Sequence, residues 1–386
     1  MKIHRNLTEH LAAALNRAPA VVLTGPRQVG KTTLARDVGD QYKAIYLDLE
    51  RPADLAKIQD FDQFCKAYPD QMIILDEVQR APEIFAPLRG IIDERRREGK
   101  RTGQFLLLGS ASLDLLKQSS ESLAGRIAQL ELQPLTGSEV GPDNILKLWS
   151  RGGFPESYLA RNDADSLAWR NDFIRTYLER DIPQLGPRIA SETLRRFWIM
   201  LAHNQGQTLN AALLARGLDL SGATIGRYLD LMVDLLLVRR LQPWSSNQGK
   251  RMVKSPKIYI RDSGICHALL GIETLNALMG HPVVGGSWEG FIVEAIFAHK
   301  SPSTQAGFYR TSVGAEVDLV LSTTAGELWA IEIKLTSAPK VTKGFHLACE
   351  DLKPARTIII HGGDDNYPFG DGIEARSVKS IPDLFK

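Results

Sequence analysis

The sequence predicts an α/β fold built on a parallel sheet, and two stretches carry that expectation. The first is Gly25-Pro26-Arg27-Gln28-Val29-Gly30-Lys31-Thr32, which reads G-x-x-x-x-G-K-[ST]. It lies between an apolar, β-branched run, Ala20-Val21-Val22-Leu23-Thr24, and a helical stretch from Thr33 to Val38. Strand, glycine-containing loop and helix is the arrangement that a phosphate-binding loop requires. The second stretch is Met72-Ile73-Ile74-Leu75-Asp76-Glu77, an apolar strand that ends in two acids. Ligands of a parallel sheet bind at the carboxyl ends of its strands, where these acids would stand.

Each residue type has a physical task. Gly25 and Gly30 let the backbone curl so that its N–H groups face phosphate oxygens. The following helix N-terminus, where Thr33 sits, adds positive partial charge. Lys31 is expected to reach the β- and γ-phosphates of ATP, and the Thr32 hydroxyl to ligate Mg²⁺. The whole run from Gly25 through Pro26, Arg27, Gln28, Val29, Gly30, Lys31 and Thr32 to Thr33 is therefore the expected nucleotide cradle. Asp76 would hold Mg²⁺, directly or through water, and Glu77 would orient and deprotonate the attacking water.

A length of 386 residues suggests two or three domains, each able to bury its own core. The formal net charge of +2 gives no overall basic excess, so any nucleic-acid role must rest on local patches. The three cysteines, Cys65, Cys266 and Cys349, are far apart and lack metal-site spacing, as expected of thiols in a reducing compartment. The start, Met1-Lys2-Ile3-His4-Arg5-Asn6, is too polar for a signal peptide, and no apolar run approaches membrane-spanning length. A cytoplasmic protein without a membrane partner is the expectation.

In chain order, a leading helix should run to Asn16, with Leu7, Leu11, Ala14 and Leu15 on one stripe. Ala44 to Asp48 reads as a second strand. Gln104 to Ser112 reads as a further buried strand ending in small hydroxyl residues. Ser110 or Ser112 is a candidate contact to the γ-phosphate or the lytic water, and the alternative is that Ser112 caps the next helix. The charged run Glu94 to Arg101 reads as a solvated helix end. Helices from Ile145 to Ser150 and from Ala164 to Tyr177 flank the turn Arg151 to Pro155. Three helices follow, Thr193 to His203, Asn210 to Arg216 and Gly222 to Val238, then a hairpin of Val238 to Leu241 with Lys257 to Ile260. The C-terminal pattern is helix (Ser287 to Phe297), three strands (Gly307 to Arg310, Ala315 to Leu321, Leu328 to Lys334), helix (Thr342 to Asp351) and strand (Thr357 to Ile360).

The runs GPRQVGKTT, ILDEVQ, LLLGSAS and SLAGR, continued by GGFPE, TYLERDI, SPKIYIRDSG and EVDLV, resemble a prokaryotic group of AAA-type ATPases with a C-terminal domain of unknown function. The likeness spans almost the whole chain in the same order. It implies an ATPase domain over 1–145 and a helical lid over 146–190, with Arg175 and Arg180 as candidate further contacts to ATP or to a neighbour. By the same resemblance Arg126, in Gly125-Arg126, stands where such proteins place an arginine finger for a neighbour's nucleotide, so a homo-oligomer is expected.

The segment 191–262 resembles a winged helix-turn-helix, with DNA as its expected partner. Thr224 and Arg227 begin its third helix, which then carries Asp230 and Asp234, so base readout is not supported. Phosphate contact would fall to the wing cations Arg239, Arg240, Lys250, Arg251, Lys254 and Lys257. Segment 263–386 resembles the PD-(D/E)xK nuclease core, a restriction-endonuclease-like α/β fold. That resemblance places Asp318 and Glu332 on adjacent strands sharing Mg²⁺, with Lys334 beside them and Glu289 completing the site. Val317 stands where the fuller motif has proline. The function these parts imply is Mg²⁺-dependent ATP hydrolysis coupled to a DNA-associated module. The alternatives are an ATP-controlled metal-dependent nuclease, or a nucleotide-gated switch or scaffold with little turnover.

Overall fold

The computed structural model describes residues 3–109, 123–185, 189–244 and 253–386. They form two compact units, Met1–Leu135 with Asp234–Leu236, and Thr136–Val233 with Leu237–Lys386. The first unit thus ends at Leu135 rather than near 145. The segments expected as lid, winged helix and C-terminal domain fall within the second unit, apart from Asp234–Leu236.

The first unit is built on five parallel strands: β1 (Ala20–Thr24), β2 (Ile45–Asp48), β3 (Ile73–Asp76), β4 (Phe105–Leu108) and β5 (Ile127–Glu131). Their order is β2-β3-β4-β1-β5, every neighbouring pair parallel. β1, β3 and β4 are buried along their whole length, which is why they read as unbroken apolar runs. Alternate residues feed two cores: Val22, Ile73, Leu75, Phe105 and Leu107 on one face, Val21, Leu23, Ile74, Leu106 and Leu108 on the other. The helices Leu7–Arg17 and Lys31–Tyr42 cover the second face, and Phe85–Arg97 covers the first. Because β1 and β3 run the same way, the loop after β1 and the acids ending β3 share one edge of the sheet.

In the second unit the helices Ile145–Arg151 and Asp163–Thr176 precede a three-helix set, Ser191–His203, Ala211–Leu218 and Gly222–Asp234. Asn210 caps the second of these by accepting from Leu213 N–H. The antiparallel hairpin of β6 (Val238–Leu241) and β7 (Lys257–Ile260) follows. The last part is a mixed six-stranded sheet of β8 (Gln305–Arg310), β9 (Glu316–Ser322), β10 (Leu328–Lys334), β11 (Arg356–His361), β12 (Tyr367–Gly370) and β13 (Ile373–Ser377). Its order is β12-β13-β11-β10-β9-β8. The helix Val284–His299 packs on one face and Lys343–Leu352 on the other. Trp149, in the expected lid, stacks edge-on against Trp288 at 4.9 Å and donates its indole N–H to Ser287 Oγ at 3.0 Å. Among the described residues no helix is long and apolar enough to cross a membrane.

Candidate functional site

The loop after β1 adopts the shape its glycines permit. A Cβ on Gly25 would lie 2.4 Å from the Leu132 carbonyl oxygen, and Gly30 holds φ +100° as it opens the helix Lys31–Tyr42. Gln28 also takes a positive φ of 61°. Gly25, Pro26 and Val29 are buried, whereas Gln28, Thr32 and Thr33 are exposed along the rim. Arg27 is half-buried and pairs with Glu50 at 3.2 Å.

Lys31 is 7% exposed and donates to the Gly25 and Pro26 carbonyl oxygens, each at 2.9 Å. Burial drives its pKa down to about 8, against the opposing pull of Glu77 and Asp76. The Thr32 hydroxyl donates to Asp76 Oδ2 at 2.7 Å, which joins the loop to the end of β3. Glu77 sits in the left-handed region at φ 55°, and its N–H donates to Asp76 Oδ1 at 2.9 Å. Lys31, Thr32, Asp76 and Glu77 are therefore brought close together.

Two participants escaped sequence reasoning. The Tyr46 hydroxyl on β2 donates to the same Asp76 Oδ2 at 2.6 Å, and burial together with Asp76 pushes its pKa well above the usual phenol range. Arg5 braces the loop, donating to Val29 O at 2.9 Å and to Gln133 O. Its place in a polar stretch ahead of the first helix gave no signal.

Other expected site residues stand differently. Arg126 forms a two-pronged ion pair with Asp93 of its own chain, at 2.8 and 2.7 Å. Ser110 and Ser112 lie outside the described residues. Arg175 is exposed and pairs with Asp172 at 2.8 Å, and Arg180 is exposed. Of the wing cations, Arg239 grips Glu294, which Arg261 also holds, Arg240 pairs with Asp230, and Lys257 is buried. Arg239, Arg240 and Lys257 are thus each paired with a carboxylate. Lys254 is exposed, while Lys250 and Arg251 lie outside the described residues.

The C-terminal cluster is assembled. Asp318 and Glu332 are buried on the paired strands β9 and β10, with Glu289 on the helix beside them. Lys334 Nζ donates to Glu332 Oε1 at 2.6 Å, and Asp318 Oδ2 accepts Ile333 N–H at 3.0 Å. The sequence did not announce two more members. Lys257 Nζ donates to Glu289 Oε1 at 2.9 Å, and the Tyr259 hydroxyl donates to the same oxygen at 2.6 Å. Burial, reinforced by the Asp318 charge, holds both Glu289 and Glu332 above the ordinary carboxylate range.

A buried lysine folded over a glycine-hinged loop, next to a threonine hydrogen-bonded to the terminal acid of β3, gives the first unit the arrangement of a P-loop nucleotide-binding domain. An AAA-domain family model matches residues 17–141. Two models of domains of unknown function match the rest, DUF8612 over residues 142–276 and DUF4143 over 284–381. The chain is 44% identical over 371 residues to the uncharacterized proteins Mb2031c of Mycobacterium bovis and Rv2008c of Mycobacterium tuberculosis, covering 96% of this chain and 82% of each of theirs. It belongs to the same family as those two proteins. Among solved structures it is similar to the Walker-type ATPase PABY2304 of Pyrococcus abyssi, at 15% identity, 70% of this chain, 96% of that one and a TM-score of 0.49. That likeness is too distant to bear on function.

Proposed function

We propose that the chain hydrolyses ATP with Mg²⁺ at the edge of the first unit's sheet and uses the nucleotide cycle to control a DNA-associated second unit. The observation that carries the hydrolytic part is the 2.7 Å hydrogen bond between Thr32 and Asp76 beside buried Lys31. Hydroxyl and carboxylate oxygens so placed suit a hard, oxygen-seeking cation, so the residues fit Mg²⁺. When bound, that ion neutralises charge on the β- and γ-phosphates.

The chain's own residues supply the rest. The ammonium of Lys31 exchanges its two loop carbonyls for phosphate oxygens, which are stronger, charge-assisted acceptors. The loop N–H groups and the N-terminus of the helix Lys31–Tyr42 complete the cradle. Glu77 positions the attacking water and takes its proton at the carboxylate. Tyr46 keeps Asp76 Oδ2 oriented once Thr32 turns to its ligand.

What supports DNA as the partner is the three-helix-plus-hairpin arrangement, with exposed Arg227 near the start of the third helix and exposed Lys254 beside β7. ATP turnover measured alone and with single-stranded, duplex and branched DNA tests the coupling. A rise with at least one form is expected, and reversing the charge of Arg227 and Lys254 together should abolish it. The same variant should lower the salt dependence of binding by ~1 in slope for each phosphate it no longer neutralises. Turnover indifferent to all three forms would exclude DNA as the partner and leave the ATPase intact.

A further inference from the structure

The nuclease resemblance implies a divalent metal among Glu289, Asp318 and Glu332, and the donor set does not fit one. Lys257 lies against two of these, Glu289 and Asp318, and against Glu316. Its Nζ lies 2.9 Å from Glu289 Oε1, 3.3 Å from Glu316 Oε1 and 3.3 Å from Asp318 Oδ1, with the side chain 3% exposed. The ammonium donates to Glu289 and Asp318 and is ion-paired with Glu316 as well, so three carboxylates from two elements surround it. Three of the cluster's oxygens are further engaged: Asp318 Oδ2 by the Ile333 N–H, Glu332 Oε1 by Lys334, and Glu289 Oε1 a second time by the Tyr259 hydroxyl.

Mg²⁺ needs oxygens at about 2.0–2.1 Å in near-octahedral array. An ion on the same oxygens would be forced against the buried positive charge of Lys257. Among the described residues no group of three or more His, Cys, Asp or Glu side chains is arranged to hold a metal ion.

We propose that Lys257 is the resident cation of this cluster, standing where a nuclease of this fold would bind divalent metal, so that the C-terminal fold neither takes up Mg²⁺ there nor cleaves DNA. The lysine comes from the hairpin. β7 turns Lys257 and Tyr259 toward Glu289, and Arg261 just beyond it toward Glu294, so the ion pairs clamp the hairpin to the helix Val284–His299. The cluster is a joint between hairpin and sheet. This inference stands on the second unit alone and is independent of the ATPase reading.

Mn²⁺ uptake by the nucleotide-free full-length chain, followed by the fall of the free-ion electron paramagnetic resonance signal, tests it. Wild type and Asp318→Asn should bind Mn²⁺ equally weakly. Lys257→Met should gain affinity by at least ~10-fold, the scale on which a metal site responds to its surroundings. Adding Asp318→Asn to Lys257→Met should erase the gain. Wild-type uptake that Asp318→Asn removes would overturn the proposal, even if the Lys257 variant fails to fold. A folded Lys257→Met that gains no Mn²⁺ would overturn it equally.

Discussion

Lys31 shows how burial and function meet in one side chain. Its ammonium is desolvated before nucleotide arrives, so its pKa falls to about 8 in the free protein. Phosphate oxygens favour the charged form, and bound ATP should raise the pKa again. Above about 8 the free protein carries neutral lysine while the complex carries ammonium, so binding takes up a proton. Calorimetry at about pH 9 in buffers of different ionisation enthalpy should report nearly one proton absorbed per ATP, and affinity should fall as pH rises further. Lys31→Ala should lose both the affinity and the uptake. Proton release, or none, would deny Lys31 its place against phosphate. Tyr46 and Lys257 show what sequence conceals at this scale. Tyr46 sits two residues before the end of an ordinary strand, and only the parallel pairing of β2 with β3 brings its hydroxyl to Asp76. Lys257 reaches Glu289 and Asp318 across long stretches of chain, a meeting that no local spacing encodes.

Two motifs that looked separate in the sequence form one joint between elements. Asp262, in the run Arg261-Asp262-Ser263-Gly264, accepts the N–H groups of Gly153 at 2.7 Å and Ile265 at 2.8 Å. Gly152 and Gly264 allow this closeness: a Cβ on Gly264 would lie 2.1 Å from the Arg151 carbonyl oxygen. Buried Arg170 ties the joint to the helix Asp163–Thr176 by donating to Gly264 O at 2.9 Å. Gly264→Ala should therefore force backbone apart and cost about 1–3 kcal/mol, lowering the thermal midpoint of the second unit by roughly 2–4 °C per kcal/mol. An unchanged midpoint would show that the joint yields. The joint also explains legibility among the elements. β1 and β10 have the bounds their apolar runs predict, because buried strands declare themselves. β5 is half-exposed throughout and β12 carries a proline and two exposed residues, so neither gave a clear pattern. Trp149 looks like any apolar residue until its partner Trp288 is seen.

At the scale of the whole molecule, the Arg126–Asp93 pair sets a condition on assembly. An arginine that serves a neighbour's nucleotide must leave Asp93, which the guanidinium holds below the usual carboxylate range. If Arg126 acts in trans, chains carrying Arg126→Ala and chains carrying Lys31→Ala should regain part of the wild-type turnover when mixed, since one offers a sound pocket and the other a sound finger. No recovery in a demonstrably mixed oligomer would leave Arg126 as a structural partner of Asp93. Every functional role proposed for the first unit rests on hydrolysis at the edge of its sheet. The most direct test is steady-state phosphate release by Glu77→Gln beside wild type, with ATP binding measured on both. ATP affinity should stay close to wild type while turnover falls by ~10²-fold or more, because only the group that orients and deprotonates water has gone. Glu77→Gln turning over at the wild-type rate would contradict this mechanism.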